Sequence, residues 1–159
     1  MANILKFVQV FALGTWVGSI FYFSAAVAPG AFRVLPSQDL AGALVEFTLK
    51  RLHTLGVAAG VVFLVASALL AVSASASRRS VLLSSIGVAI MVVLTVISQH
   101  LVIRRMMMLR REMGSVAETA ADSPLRIEFN RLHQVSVQLE GATLLIGFAS
   151  LFLTVRAKP

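Results

Sequence analysis

The chain has 159 residues, 58% hydrophobic and 13% charged, with a formal net charge of +7 and a mean hydropathy of +0.89. That composition excludes an ordinary soluble domain, and the absence of cysteine excludes a disulfide framework, a thiolate metal site and a thiol nucleophile. The basic residues flank apolar runs, so the expected counter-charge is the anionic lipid headgroup and not nucleic acid.

Four runs meet the length of about 20 apolar residues that a bilayer span requires. Residues 7–32, the first, carry no charge. The small-x-small AVA at residues 26–28 looks like a signal cleavage site. The run is longer than a signal core of about 7–15 residues and Pro29 follows, so a retained helix is expected. It should cover residues 4–27 and stop at the breaker pair Pro29-Gly30. Within it, GTWVG sets Gly14 and Gly18 four residues apart, a spacing that lets two helices approach closely. Trp16 between them lies too deep for the interfacial belt and reads as a packing residue.

After AFRVLPSQDL, Ser37 can cap a second helix whose start is amphipathic, with Leu40, Leu44, Phe47 and Arg51 on one face. Its apolar run, residues 54–77, carries a second such glycine pair, Gly56 and Gly60. SASASRRS is a polar turn. A third helix starts near Ser80, leaves the membrane around His100 and continues through LVIRRMMMLRREM to Gly114, a natural C-cap. Met106, Met107 and Met108 are adaptable apolar contacts at the membrane surface, although thioethers also suit soft metals. SVAETAADS is the one long polar loop. Ser123-Pro124 then starts a fourth helix that runs to about Val155 and carries one charge in its span, Glu140.

Lysine and arginine counts set the orientation. The ends of the first and third loops carry Arg33, Lys50, Arg51, Arg104, Arg105, Arg110, Arg111, Arg126 and Arg131, against Lys6, Arg78, Arg79, Arg156 and Lys158 on the other side. Nine against five predicts cytoplasmic first and third loops and both termini outside, and the expected location is a bacterial inner membrane. The expected fold class is all-α: a single four-span domain over residues 1–159, an integral membrane four-helix bundle with amphipathic cytoplasmic extensions.

Glu-Phe followed by Arg-Leu-His occurs twice, in EFTLKRLH from Glu46 and in EFNRLH from Glu128, each time ahead of an apolar run. The recurrence suggests a tandem helix-pair repeat about a pseudo-twofold axis along the membrane normal. It puts His53 and His133 on the long-loop side, where His100 also lies. Glu128 and Arg131 have a helix-pair spacing, while Arg51 and Arg131 equally suit lipid headgroups.

Glu140 follows His133 by seven residues, about 10 Å deeper on the same helix face. Ser136 shares that stripe and Gln138 lies alongside. An ionisable group at a span centre costs about 2.5–3.5 kcal/mol on insertion scales and faces the bundle or water. Glu140 therefore reads either as a carboxylate lining a polar cavity or as a hydrogen-bonded acid joining helices. His53, His100 and His133 admit three readings: interfacial rings, proton-handling groups beside Glu140, or haem or metal ligands. No attachment motif asks for a cofactor, and no Walker, dinucleotide, Gly-x-Ser-x-Gly or His-Glu-x-x-His signature points to an enzyme. Three functions fit: a transport or export component for a cation or small toxic solute, with Glu140, His133, His53, His100, Gln138 and Ser136 around a cavity; a haem- or metal-binding redox protein; or an assembly subunit, a homo-oligomer held by its glycine faces.

GTWVGSIFYFSAAVAPGAFRVLPSQDLAGALVEF and FNRLHQVSVQLEGATLLIGF resemble the transmembrane protein 205-like family of four-helix membrane proteins. The likeness rests on a Trp-x-Gly opening, a Phe-Arg-x-Leu-Pro turn and a Phe-x-Arg-x-His start of the fourth helix, with Trp16, Arg33, Pro36, Arg131 and His133 as family-typical residues. It implies an integral membrane protein, linked in its vertebrate branch to tolerance and export of platinum drugs. This chain lacks the cysteine that would offer platinum a thiolate. A more distant likeness, through the Trp-x-Gly helix, extends to copper-resistance protein D-type proteins and the bacterial four-helix protoporphyrinogen oxidase, and implies a metal or haem.

Overall fold

The computed structural model describes residues 1–72 and 78–156. Among them the chain forms four long helices, each long and apolar enough to cross a membrane. Helix α1 is Ala2–Val34 and α2 is Gln38–Val72. Helix α3 joins Arg78–Ile97, a π-turn Ser98–Ile103 and Arg104–Met113, and α4 is Pro124–Arg156. At 1.5 Å per residue, the 35 residues of α2 reach about 52 Å, well past the roughly 30 Å of hydrocarbon, so its amphipathic end protrudes. Helices α1 and α2 pack as one antiparallel pair and α3 and α4 as another, while α2–α3 and α1–α4 contacts close the ring.

Local chemistry sets the helix ends. The Leu40 N–H donates to Ser37 Oγ at 3.2 Å, satisfying one orphan donor of α2. Gly114 ends α3 at φ 72°, its N–H donating to the Arg110 carbonyl, a left-handed cap that glycine adopts without a Cβ penalty. The Ser123 carbonyl accepts from the Ile127 N–H at the start of α4.

One boundary differs from expectation. Helix α1 does not stop at Pro29-Gly30 but continues to Val34. Proline lacks an N–H and its ring collides with the carbonyl four residues back. The chain absorbs this by widening into a π-turn, Phe23–Val27, in which the Ala28 N–H donates to the Phe23 carbonyl. The SASASRRS turn falls largely outside the described residues, as does Lys158.

The far half of the bundle is filled. Leu13, Trp16, Val17 and Ile20 of α1 meet Phe63 of α2 and Val88 and Met91 of α3 in one buried cluster. Helices α3 and α4 meet along small and hydroxyl residues: Ser84, Thr95 and Ser98 on one side, Ser136, Thr143, Ser150 and Thr154 on the other, all buried. A Cβ added at Gly87 would collide with the Ser150 side chain, and one at Gly147 would press on Val17 and Met91. Absent side chains thus set this close approach, as in other membrane helix pairs.

Candidate functional site

The interior opens on the long-loop side. A cavity of about 590 Å³ is walled by Phe23 and Phe32 of α1, Val45 and Leu49 of α2, Ile103 and Met106 of α3, and Phe129, Val137 and Leu144 of α4. Beyond its π-turn, α1 keeps its packing on α2, and the cavity lies between that tip and the lining face of α4. The lining runs along α4 from Arg126 to Leu144, about 27 Å of helix.

Glu140 lines the inner end, with 13% of its side chain exposed. Its Oε2 lies 3.1 Å from Nε2 of His53, whose side chain is 2% exposed. The other ring nitrogen, Nδ1, lies 2.9 Å from Gln99 Oε1. Three helices therefore meet at one polar knot: α2 supplies the imidazole, α3 the amide and α4 the carboxylate. The second carboxylate oxygen of Glu140 has no hydrogen-bond partner among the described residues. Burial explains why the knot exists, since a polar group at this depth is costly unless paired.

The remaining candidates do not converge. Ser136 is buried and lines the cavity, and His133 lines it as an exposed side chain. Gln138 and His100 are exposed and do not line it. The three histidines therefore do not gather at one point, and no group of three His, Asp or Glu among the described residues could hold a metal ion. The repeated Arg-Leu-His tripeptides also sit at different depths. His53 lies fifteen residues into α2 and level with Glu140, whereas His133 lies nine residues into α4.

The glycine pairs separate as well. A Cβ on Gly56 would run into the Trp16 indole, and one on Gly60 into Val92 and the same indole, whereas Gly14 and Gly18 have nothing within 4 Å. Close approach of α1 to α2 thus works by a Trp16 ring laid on a glycine surface, and Gly14 and Gly18 take no part in it among the described residues. Trp16 Nε1 and Ser98 Oγ are buried without a hydrogen-bond partner.

Charge at the mouth is paired across elements. Arg110 Nη1 donates to Glu46 Oε2 at 3.2 Å, and Gly42 gives the guanidinium room to cross α2. Asp39 accepts from Ser115 Oγ at 2.6 Å and from the Val116 N–H at 3.1 Å, fastening the long loop to the start of α2. Glu128 does not pair with Arg131. Arg105 of α3 takes both its oxygens, at 2.9 and 3.1 Å, because a planar guanidinium matches a carboxylate in bidentate fashion. Arg51 lies over the Phe47 ring at 5.4 Å.

Sequence reasoning missed Gln99, Gly42 and Arg110. Gln99 was overshadowed by its neighbour His100, although adjacent helical residues point about 100° apart.

Four apolar helices around an internal, carboxylate-bearing cavity define the class: an integral membrane four-helix bundle. The sequence model of a family described as Domain of unknown function (DUF4149) matches residues 11–115, and the chain belongs to that family. The match spans most of α1 and all of α2 and α3, so it includes His53 and Gln99 but not Glu140. No curated protein and no solved structure matches the chain.

Proposed function

We propose that this protein is a transport or export component for a cation or small toxic solute, which enters the cavity from the long-loop side and reaches Glu140. The observation that carries this reading is a carboxylate at the inner end of an otherwise largely apolar cavity, with one oxygen held by His53 and the other without a partner among the described residues. An ionisable group at such depth marks a solute or proton pathway. The arginine excess around the cavity mouth supports a cytoplasmic long-loop side and outward termini in a bacterial inner membrane. The likeness to transmembrane protein 205-like proteins, through Trp16 and His133, belongs to the same reading. The test is flux of small organic and inorganic cations in reconstituted vesicles. Wild-type protein should move at least one of them and Glu140→Gln should not; equal flux in both would end the proposal.

A second reading, an assembly subunit, draws on Gly14 and Gly18. Both face open space, so if this pair packs a helix, that helix belongs to another chain, as a homo-oligomer would provide. Crosslinking in membranes tests it: Gly14→Leu with Gly18→Leu should abolish the crosslinked species.

A further inference from the structure

We infer that the cavity takes an amphipathic organic cation, and that its binding at Glu140 expels the one proton shared between Glu140 and His53. The inference rests on the transport reading for its site and adds the ligand class and the exchange.

The ligand class follows from the walls. Hard inorganic cations such as Mg²⁺ take about six oxygen ligands and dehydrate reluctantly. The inner end of the cavity offers one carboxylate with Ser136, and otherwise Phe23, Leu49 and Leu144. A cation that carries its own apolar body needs no such shell. Its hydrophobic groups replace water against these walls, and its charge requires one counter-charge, which Glu140 supplies. Phe23, Phe32 and Phe129 line the same space, and aromatic side chains attract organic cations. The volume of about 590 Å³ falls in the range that holds drug-sized molecules.

The exchange follows from the hydrogen bonds. In the arrangement with Gln99 Oε1 facing it, Nδ1 carries a hydrogen, because an amide oxygen only accepts. The contact from Nε2 to Oε2 needs one more hydrogen between them. That proton rests on the imidazole or on the carboxyl, and in either case the pair has no net charge. An arriving cation at the free oxygen requires the carboxylate and disfavours an imidazolium 3.1 Å away. The pair then loses one proton to solvent. The hydrogen left on the imidazole moves to Nε2, where it donates to Glu140, and the Gln99 amide turns to donate to Nδ1. Charge is conserved: one cation enters and one proton leaves.

The other charged groups facing this space are accounted for. From α1 the lining supplies none; α2 contributes Asp39 and Glu46, α3 Arg110, and α4 Arg126 and His133. Glu46 and Arg110 pair with each other and Asp39 is held by Ser115. His133 lines the cavity nearer its mouth, whereas His53 is not among the lining residues and reaches the site through Glu140.

Titration calorimetry of tetraphenylphosphonium into the purified full chain at pH 7, in two buffers of different ionisation enthalpy, counts the protons. Wild-type protein should bind and release about one proton per ligand. Glu140→Gln should bind at least about tenfold more weakly with an unchanged elution profile. Absent binding, absent proton release, or displacement of the probe by Mg²⁺ would each overturn the inference. The wild-type proton count stands whether or not Glu140→Gln folds. Binding and release without vesicle flux would leave this inference intact and end the transport reading; flux without proton release would do the reverse.

Discussion

Removing His53 and Glu140 together should cost less than the sum of the two single losses. His53→Leu deletes a contact to a carboxylate, worth about 1.5–3 kcal/mol, and one to an amide, worth about 0.5–1.5 kcal/mol. Both partners are left in a low-dielectric setting, Glu140 with only 13% of its side chain exposed. The single substitution should therefore lower stability by about 2–4 kcal/mol, close to the loss seen when one member of a buried pair is removed. Glu140→Leu should be milder, because it removes the group that is hardest to bury, although His53 loses a partner. In the double variant the uncompensated carboxylate is gone, and the total should fall short of the sum by about 2 kcal/mol. Thermal or denaturant unfolding of all four proteins in one detergent measures the cycle. Costs that add to within about 0.5 kcal/mol would refute the pairing, whatever each single value is.

Other substitutions test the packing and the loop. Gly56→Ala forces the Trp16 indole to move and should destabilise by about 1–3 kcal/mol, whereas Gly14→Ala meets nothing and should be neutral or gain up to about 1 kcal/mol from helix propensity in the isolated chain. The same unfolding assay decides, and equal losses would show that the indole does not rest on α2. Gly114→Ala places a Cβ at φ 72° and should cost about 1 kcal/mol. Asp39→Ala frees Ser115 and Val116, so limited proteolysis should cut residues 115–123 faster while the melting temperature barely changes. Cleavage at the wild-type rate would mean that the carboxylate does not fasten the loop.

Much of the frame was readable from composition. Four uncharged or nearly uncharged runs, Ser37 before α2, Gly114 after α3 and Ser123-Pro124 before α4 each carry their own physical signal, and each lies where that signal puts it. Glu140 stood out because a charge in an apolar span is rare. The site around it was less legible. Depth along α4 placed Glu140 relative to His133, but nothing local measured the depth of His53, whose helix has a longer protruding start. Facing is the second difficulty. Gln99 and His100 are neighbours in sequence, and only the path of α3 through its π-turn decides which of them meets α2. The glycine pairs show a third: spacing identifies a smooth helix surface and does not say what lies on it. In α2 it is an indole, and in α1 none of the described residues.

The two π-turns explain why the bundle opens at one end. Both lie in the long-loop half, at Phe23–Val27 of α1 and Ser98–Ile103 of α3. A wide turn adds a residue without completing the usual register, so the helix beyond it is rotated and displaced. In α1 the cause is Pro29, which cannot donate to Ala25 and cannot lie against its carbonyl. The displaced tip keeps its contact with α2 and stands across the cavity from the Phe129 to Leu144 face of α4. In α3 neither proline nor glycine marks the turn, yet it contains Gln99, the residue that reaches His53. One turn thus opens the cavity and the other aims Gln99 at His53, the partner of Glu140. Beyond both, Ile20, Phe63, Val88 and Met91 pack with no exposed surface. A bundle closed on one side and splayed on the other presents Glu140 to the long-loop side alone, so any solute that crosses must wait for the Trp16 layer to part.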